Sequence, residues 1–232
     1  MQAEATFRQE RLKKHLTYDV WKYLLVIVAC WMGWELLYTA TAYRSPQEKR
    51  IDVMIMSATA SDELFESFLK PIWEEATPDM ELVEGVTLLP GGVDDYYSNI
   101  NLTVKLAAGE GDIYLLPQDT FKQLALNGAF VGLDQYIADG LINIDGLEVD
   151  KARLTLVDED TGKATTQLFG IPTDLLYGYM DGLQFDNRNA VMAIAVNNGN
   201  EDNVVTFFNA LLQAGRGEMP EWLRDAEAKP DA

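Results

Sequence analysis

The chain has 232 residues and a formal net charge of −19, with 37 acidic side chains against 18 basic ones. That length allows one sizeable core or two small ones, and so acidic a surface repels phosphates, which argues against nucleic acid as a partner. One Cys and one His exclude an internal disulfide and any Cys/His zinc cluster, so no metal site and no cofactor are expected.

The charge is unevenly spread, with a net of +2 over residues 1–44 and −21 over the remainder. Residues 23–43 are apolar except for Glu35 and two threonines, and at ~1.5 Å per residue such a helix covers the ~30 Å of a bilayer core. Trp21, Tyr23, Tyr38 and Tyr43 stand near its ends, where amphipathic rings favour the membrane interface. Arg8, Arg11, Lys13, Lys14 and Lys22 precede it, and Arg44, Lys49 and Arg50 follow, a bias that places the N-terminus inside. The expected organisation is a cytoplasmic basic arm (1–22), a transmembrane signal anchor (23–43), a linker (44–50), an extracytoplasmic domain (51–214) and an acidic tail (215–232). The expected location is the cell membrane, with a single pass.

Two cleavage patterns compete with the anchor. Ile27-Val28-Ala29-Cys30 fits a lipobox with Cys30 as the lipidated residue, although Trp31-Met32-Gly33-Trp34 is apolar where a mature lipoprotein needs a polar tether. Ala40-Thr41-Ala42 resembles a small-residue cleavage site, against which stand the long arm and Glu35. An acidic group inside a membrane helix costs on the order of 2–3 kcal/mol. Glu35 therefore either contacts a partner's membrane helix or reaches toward the headgroups; both readings stay open.

Beyond the linker, Ile51 to Met56 reads as a buried parallel strand. Ser61 can cap a following helix with Leu64, Phe65, Phe68, Leu69 and Ile72 at helical spacing, which Pro71 should bend or end early. Trp73 suits the core better than a sugar platform. A second strand lies within 80–89, interrupted at Gly85. Pro90-Gly91-Gly92 turns the chain, Asp94-Asp95 offers a cap, and a helix to Ala108 should bury Tyr97, Ile100, Val104 and Ala107. Ile113 to Leu116 is a third buried strand, and Asp119 or Thr120 can cap a helix burying Phe121, Leu124 and Ala125. Asn127-Gly128 ends it. Residues 153–171 read as a β-hairpin whose acidic turn, Asp158-Glu159-Asp160, lacks the distal Glu of a calcium loop. Ala190 to Val196 is a strongly apolar strand, and a helix follows with Val204, Val205, Phe208, Leu211 and Leu212 on one face. In the tail only Trp222 and Leu223 could dock.

Residues 105–137 carry a family resemblance. Ala107-Ala108-Gly109, Asp112-Ile113, Asn127-Gly128-Ala129 and Leu133-Asp134-Gln135-Tyr136-Ile137 stand in the order and spacing found in extracellular solute-binding proteins of ABC importers, in the maltose-binding-protein-like branch. The resemblance is close over 105–137 and loose over 51–212. It implies a periplasmic-binding-protein-like α/β lobe with one open, mostly parallel, roughly five-stranded sheet and flanking helices. Leu168 to Thr173 resembles the stretch leading to the hinge, yet the apolar strand at Ala190 follows within some twenty residues, so the second lobe of that family is missing.

Catalysis has little to draw on. His15 belongs to the inner arm, and phosphate loops, nucleophile elbows and zinc-helix motifs are all absent, so an enzyme is not expected. Two functions remain. The first is a solute-binding-like subunit that serves an ABC importer and takes a sugar, weakly, at the strand C-termini. Its site would hold Ser57, Ala58, Thr59, Gly91, Gly92, Pro117, Gln118 and Asp119, with Tyr96 and Tyr177 to stack on the ring. The second is a non-binding structural or regulatory lobe that holds an ABC permease or another membrane protein through Glu35 and its outer surface.

Overall fold

The structure, a computed structural model, describes residues 20–43, 45–59, 61–88, 96–157, 164–196, 199–220 and 224. The chain divides into two compact units, Met1–Arg44 and Ser45–Ala232. In the first, α1 (Val20–Thr41) is one 22-residue helix with no buried residue, long and apolar enough to cross a membrane by length and composition. Thr39 and Thr41 donate their hydroxyls to the Glu35 and Leu37 carbonyls, so these polar groups are satisfied within the helix. Cys30 is exposed on it.

The second unit begins with β1 (Arg50–Met56), α2 (Asp62–Ala76), β2 (Leu82–Leu88), α3 (Tyr96–Ala107) and β3 (Ile113–Pro117). Both β2 and β3 pair with β1 in parallel, as two consecutive βαβ units require. Next come α4 (Gln118–Leu126), α5 (Asp134–Ala138), β4 (Arg153–Val157), β5 (Ala164–Leu168), β6 (Ile171–Pro172), α6 (Gly178–Leu183), β7 (Ala190–Ile194) and α7 (Glu201–Gly215). The main sheet has the order β2-β1-β3-β7-β6. β7 lies antiparallel between β3 and β6, so four of the five strands run the same way. The expected open, mostly parallel five-stranded sheet with flanking helices is the observed one.

Its core follows from the apolar runs. Ile51, Val53, Ile55, Ile113, Leu116 and Ile194 are sealed from solvent, and Val204, Phe207, Phe208, Leu211 and Leu212 cover the sheet from α7. Gly85 does not interrupt β2. A Cβ there would lie 2.6 Å from the Phe65 ring, so the glycine makes room for α2 to pack. Ser61 caps α2 by accepting the Leu64 N–H, and Trp73 packs on the core with Nε1 donating to the Met80 carbonyl. At the free edge of the sheet the Thr87 N–H of β2 donates to Asp62 at 3.1 Å.

Three local expectations are corrected. Pro71 does not end α2, which runs on to Ala76. The bond it forgoes is that to the Ser67 carbonyl, and both residues lie on the exposed face. Helix α4 starts directly at Gln118, with Asp119 in its first turn and no side-chain cap. In α3, Leu102 is buried and Leu106 half-buried while Ile100, Val104 and Ala107 are exposed. That helix carries two apolar stripes at helical spacing, and the periodicity cannot choose between them. The hairpin expected over 153–171 is present as the antiparallel pair β4 and β5, and the fifth strand of the main sheet is the two-residue β6. Asp94, Asp95, the acidic turn at 158–160, Trp222 and Leu223 lie outside the described residues.

Candidate functional site

The chain runs from β1 to β2 on one side and returns to β3 on the other. The strand order therefore reverses between β1 and β3, and open α/β sheets bind ligands outside the strand C-termini at such a point. A cavity of about 230 Å³ lies there. Met56, Ser57, Ala58 and Thr59 line it from the end of β1, Pro117 from the end of β3, Phe185, Asp186, Arg188 and Asn189 from the loop before β7, and Ala190 from the first position of β7.

Ser57, Ala58, Thr59 and Pro117 are thus brought together. Gln118 and Asp119 stand just beyond the lining. Gln118 donates its N–H to the Asn189 carbonyl at 2.9 Å and its side chain to the Lys151 carbonyl at 3.4 Å, and Asp119 is exposed. Tyr177 is half-buried at the start of α6 and does not line the cavity. Gly91, Gly92 and the Tyr96 side chain lie outside the described residues.

Phe185, Asp186, Arg188 and Asn189 escaped the sequence reading. They reach the site because β7 is antiparallel to β3, with Pro117 opposite Ala190, so the loop entering β7 stands beside the end of β3. Asp186-Asn187-Arg188-Asn189 ahead of an apolar strand was a visible turn signal; its partner strand was not. Gln184 and Asn189, the positive-φ residues other than glycine among those described, bracket this loop at 52° and 57°, so it turns sharply at both ends.

The polar groups at the site hold one another. The Thr59 N–H donates to Ser57 Oγ at 3.2 Å, the two hydroxyls lie 3.2 Å apart, and Thr59 Oγ1 donates to the Gln184 carbonyl at 2.5 Å. That last bond ties the β1 loop to the loop before β7. Arg188 grips Asp186 with two bonds of 2.8 Å, which holds the Asp186 carboxyl below its ordinary pKa. Met56, Pro117, Phe185 and Ala190 give the cavity an apolar lining. Among the described residues no group of three His, Cys, Asp or Glu is placed to hold a metal ion.

No protein-family model matches the chain, and none of the curated proteins matches it. Solved structures do resemble it. An extracellular solute-binding protein family 1 from Alicyclobacillus acidocaldarius is 18% identical with a TM-score of 0.36, covering 56% of this chain and 29% of the other. An ABC substrate-binding protein from Listeria monocytogenes, in complex with cycloalternan, is 22% identical with a TM-score of 0.37, at 52% and 28% coverage. The spermidine/putrescine ABC transporter substrate-binding protein of Streptococcus pneumoniae is 15% identical with a TM-score of 0.32, at 54% and 32% coverage. Each of these neighbours is named as a solute-binding or substrate-binding protein, and the match spans under a third of each neighbour's length.

Proposed function

We propose that the protein is a membrane-anchored, extracytoplasmic solute-binding-like lobe that works with an ABC importer, with a carbohydrate as the ligand class. The observation that carries this reading is the cavity at the β1/β3 switch point, formed by Ser57–Thr59 and Pro117. Its small size, below the ~300–1,000 Å³ of ordinary ligand pockets, makes it a half-site. A sugar seated there keeps one face in water, and the gain from burying it falls accordingly. Titrating the intact chain in detergent with a panel of mono- and oligosaccharides should give no binding tighter than about 1 mM. Thr59→Val should weaken what binding there is. Micromolar affinity for one sugar would replace the half-site with a complete receptor site.

A second reading, a non-binding structural or regulatory lobe, is favoured by one observation: the Thr59–Gln184 tie and the Asp186–Arg188 pair already engage polar groups a ligand would use. In that reading Glu35, exposed on α1, meets a polar group on a partner's membrane helix. Glu35→Leu should insert at least as well as the natural chain but recover less of any co-purifying permease from detergent extracts; equal recovery would make Glu35 an interfacial carboxyl only. The anchor itself is tested on spheroplasts. External protease should remove the acidic domain and leave the basic arm, whereas protection of that domain would reverse the topology.

A further inference from the structure

A second cavity, of about 360 Å³, lies at the opposite end of the sheet, between β1, β2 and the last turn of α3. Met54 and Val86, side by side in the β1–β2 register, give it an apolar wall. Its charged groups are Arg50 and Asp52 of β1, Lys105 of α3, and Glu110 and Asp112 of the loop entering β3. That loop is held in place: Tyr114 donates its hydroxyl to the Glu110 carbonyl, and the Asp112 N–H donates to the Asp52 carbonyl at 2.8 Å.

Both basic groups are already committed. Arg50 bonds Asp52 at 2.7 Å and Glu84 at 3.2 Å, and Lys105 bonds Glu110 at 2.9 Å. Asp112, only 4% exposed, is left with one hydrogen bond, from the Asp52 N–H at 2.7 Å, and no ion pair among the described residues. A buried carboxylate so placed is costly unless a cation meets it. Three carboxylates line this cavity against two cations, so the site repels anions. The donor set does not suit a metal, since no three carboxylates converge. What remains is a monovalent organic cation.

We propose that this cavity binds a small alkylammonium or alkylguanidinium ion, its charged head against Asp112 and its alkyl stem along Met54 and Val86. The head brings donors to a buried acceptor, and the stem covers the half-buried Val86 beside the buried Met54. This site is separate from the one at the strand C-termini and stands or falls independently of it.

The test is calorimetric titration of the intact chain in detergent at pH 8 with n-butylammonium and n-propylguanidinium, and with n-butanol as the neutral probe. At least one cation should bind with a Kd of about 1 mM or tighter while n-butanol stays silent. Asp112→Asn should weaken that binding roughly tenfold or more. Ala108→Arg, an exposed substitution that plants a guanidinium at the rim, should do the same without disturbing the core, and Asp139→Asn, an exposed carboxylate outside both cavities, should change nothing. Silence from both cations up to about 10 mM, equal heats from n-butanol, or unchanged affinity in both Asp112→Asn and Ala108→Arg would each overturn the proposal.

Discussion

Phe121→Ala should lower the unfolding free energy of the Ser45–Ala232 unit by about 3–5 kcal/mol. Phe121 is fully buried on α4, and its ring stacks on Phe130 with centroids 5.5 Å apart and planes 19° off parallel. Phe130 in turn meets Tyr114 of β3 and pairs its backbone with Ala195. Gly170 closes the other side, since a Cβ there would lie 3.0 Å from the Phe121 ring. Alanine would leave a void walled by two strands and a helix that cannot all move in, and would forfeit an aromatic pair worth about 0.5–1.5 kcal/mol beyond its area. Urea denaturation followed by far-UV circular dichroism measures the loss. A cost under about 1 kcal/mol would mean that the ring does not join α4 to the sheet.

Asp112→Asn should make the same unit more stable at pH 8 than the natural protein, and should leave the two nearly equal at pH 4. Burial, the largest influence, raises the Asp112 carboxyl to about 7; the Asp52 charge adds to this, while the Asp52 N–H and Arg50 oppose it. An unfolded Asp titrates near ~3.9, so the folded chain holds this proton more tightly than the unfolded one does. The stability it contributes is fully present below about pH 4 and is lost as pH rises through about 7. At about 1.4 kcal/mol per pH unit the loss is on the order of 4 kcal/mol at most. Asparagine has the same shape, accepts the Asp52 N–H and carries no charge. Denaturation midpoints across that range should therefore fall with pH in the natural protein more steeply than in the variant. Parallel slopes would show the carboxyl to be as well solvated as a surface one.

The elements that the sequence made legible share one cause. Ile51–Met56, Ile113–Leu116 and Ala190–Ile194 are short apolar runs bounded by turn residues, and a strand buried on both faces has to look like that. Gly128, at φ 74°, ends α4 where the Asn-Gly signal put it. The misread elements are those whose outcome depends on a neighbour. Ile100 and Val104 have the same spacing as Leu102 and Leu106, and only the docked helix distinguishes the stripes. At the site, Ser57–Thr59 and Pro117 were legible because strand C-termini at a switch point are fixed by strand order. Phe185 to Asn189 were not, because their place depends on the antiparallel return of β7. Asp52 and Asp112 meet only because the β1–β3 register sets them side by side.

The Thr87–Asp62 bond has a consequence for how copies of this chain behave when crowded. β2 is the outermost strand of the sheet, and an open strand edge is a template on which another chain can add a strand. Asp62 takes one of the donors such an intruder would need, and does so from the first turn of the helix that packs on β2. Glu81 and Glu84 bring carboxylates to the same edge. Strand-by-strand stacking of two copies at β2 must therefore first displace a carboxylate anchored in α2 and then crowd carboxylates already paired with Lys49 and Arg50, so this edge resists stacking although, among the described residues, no other strand covers it.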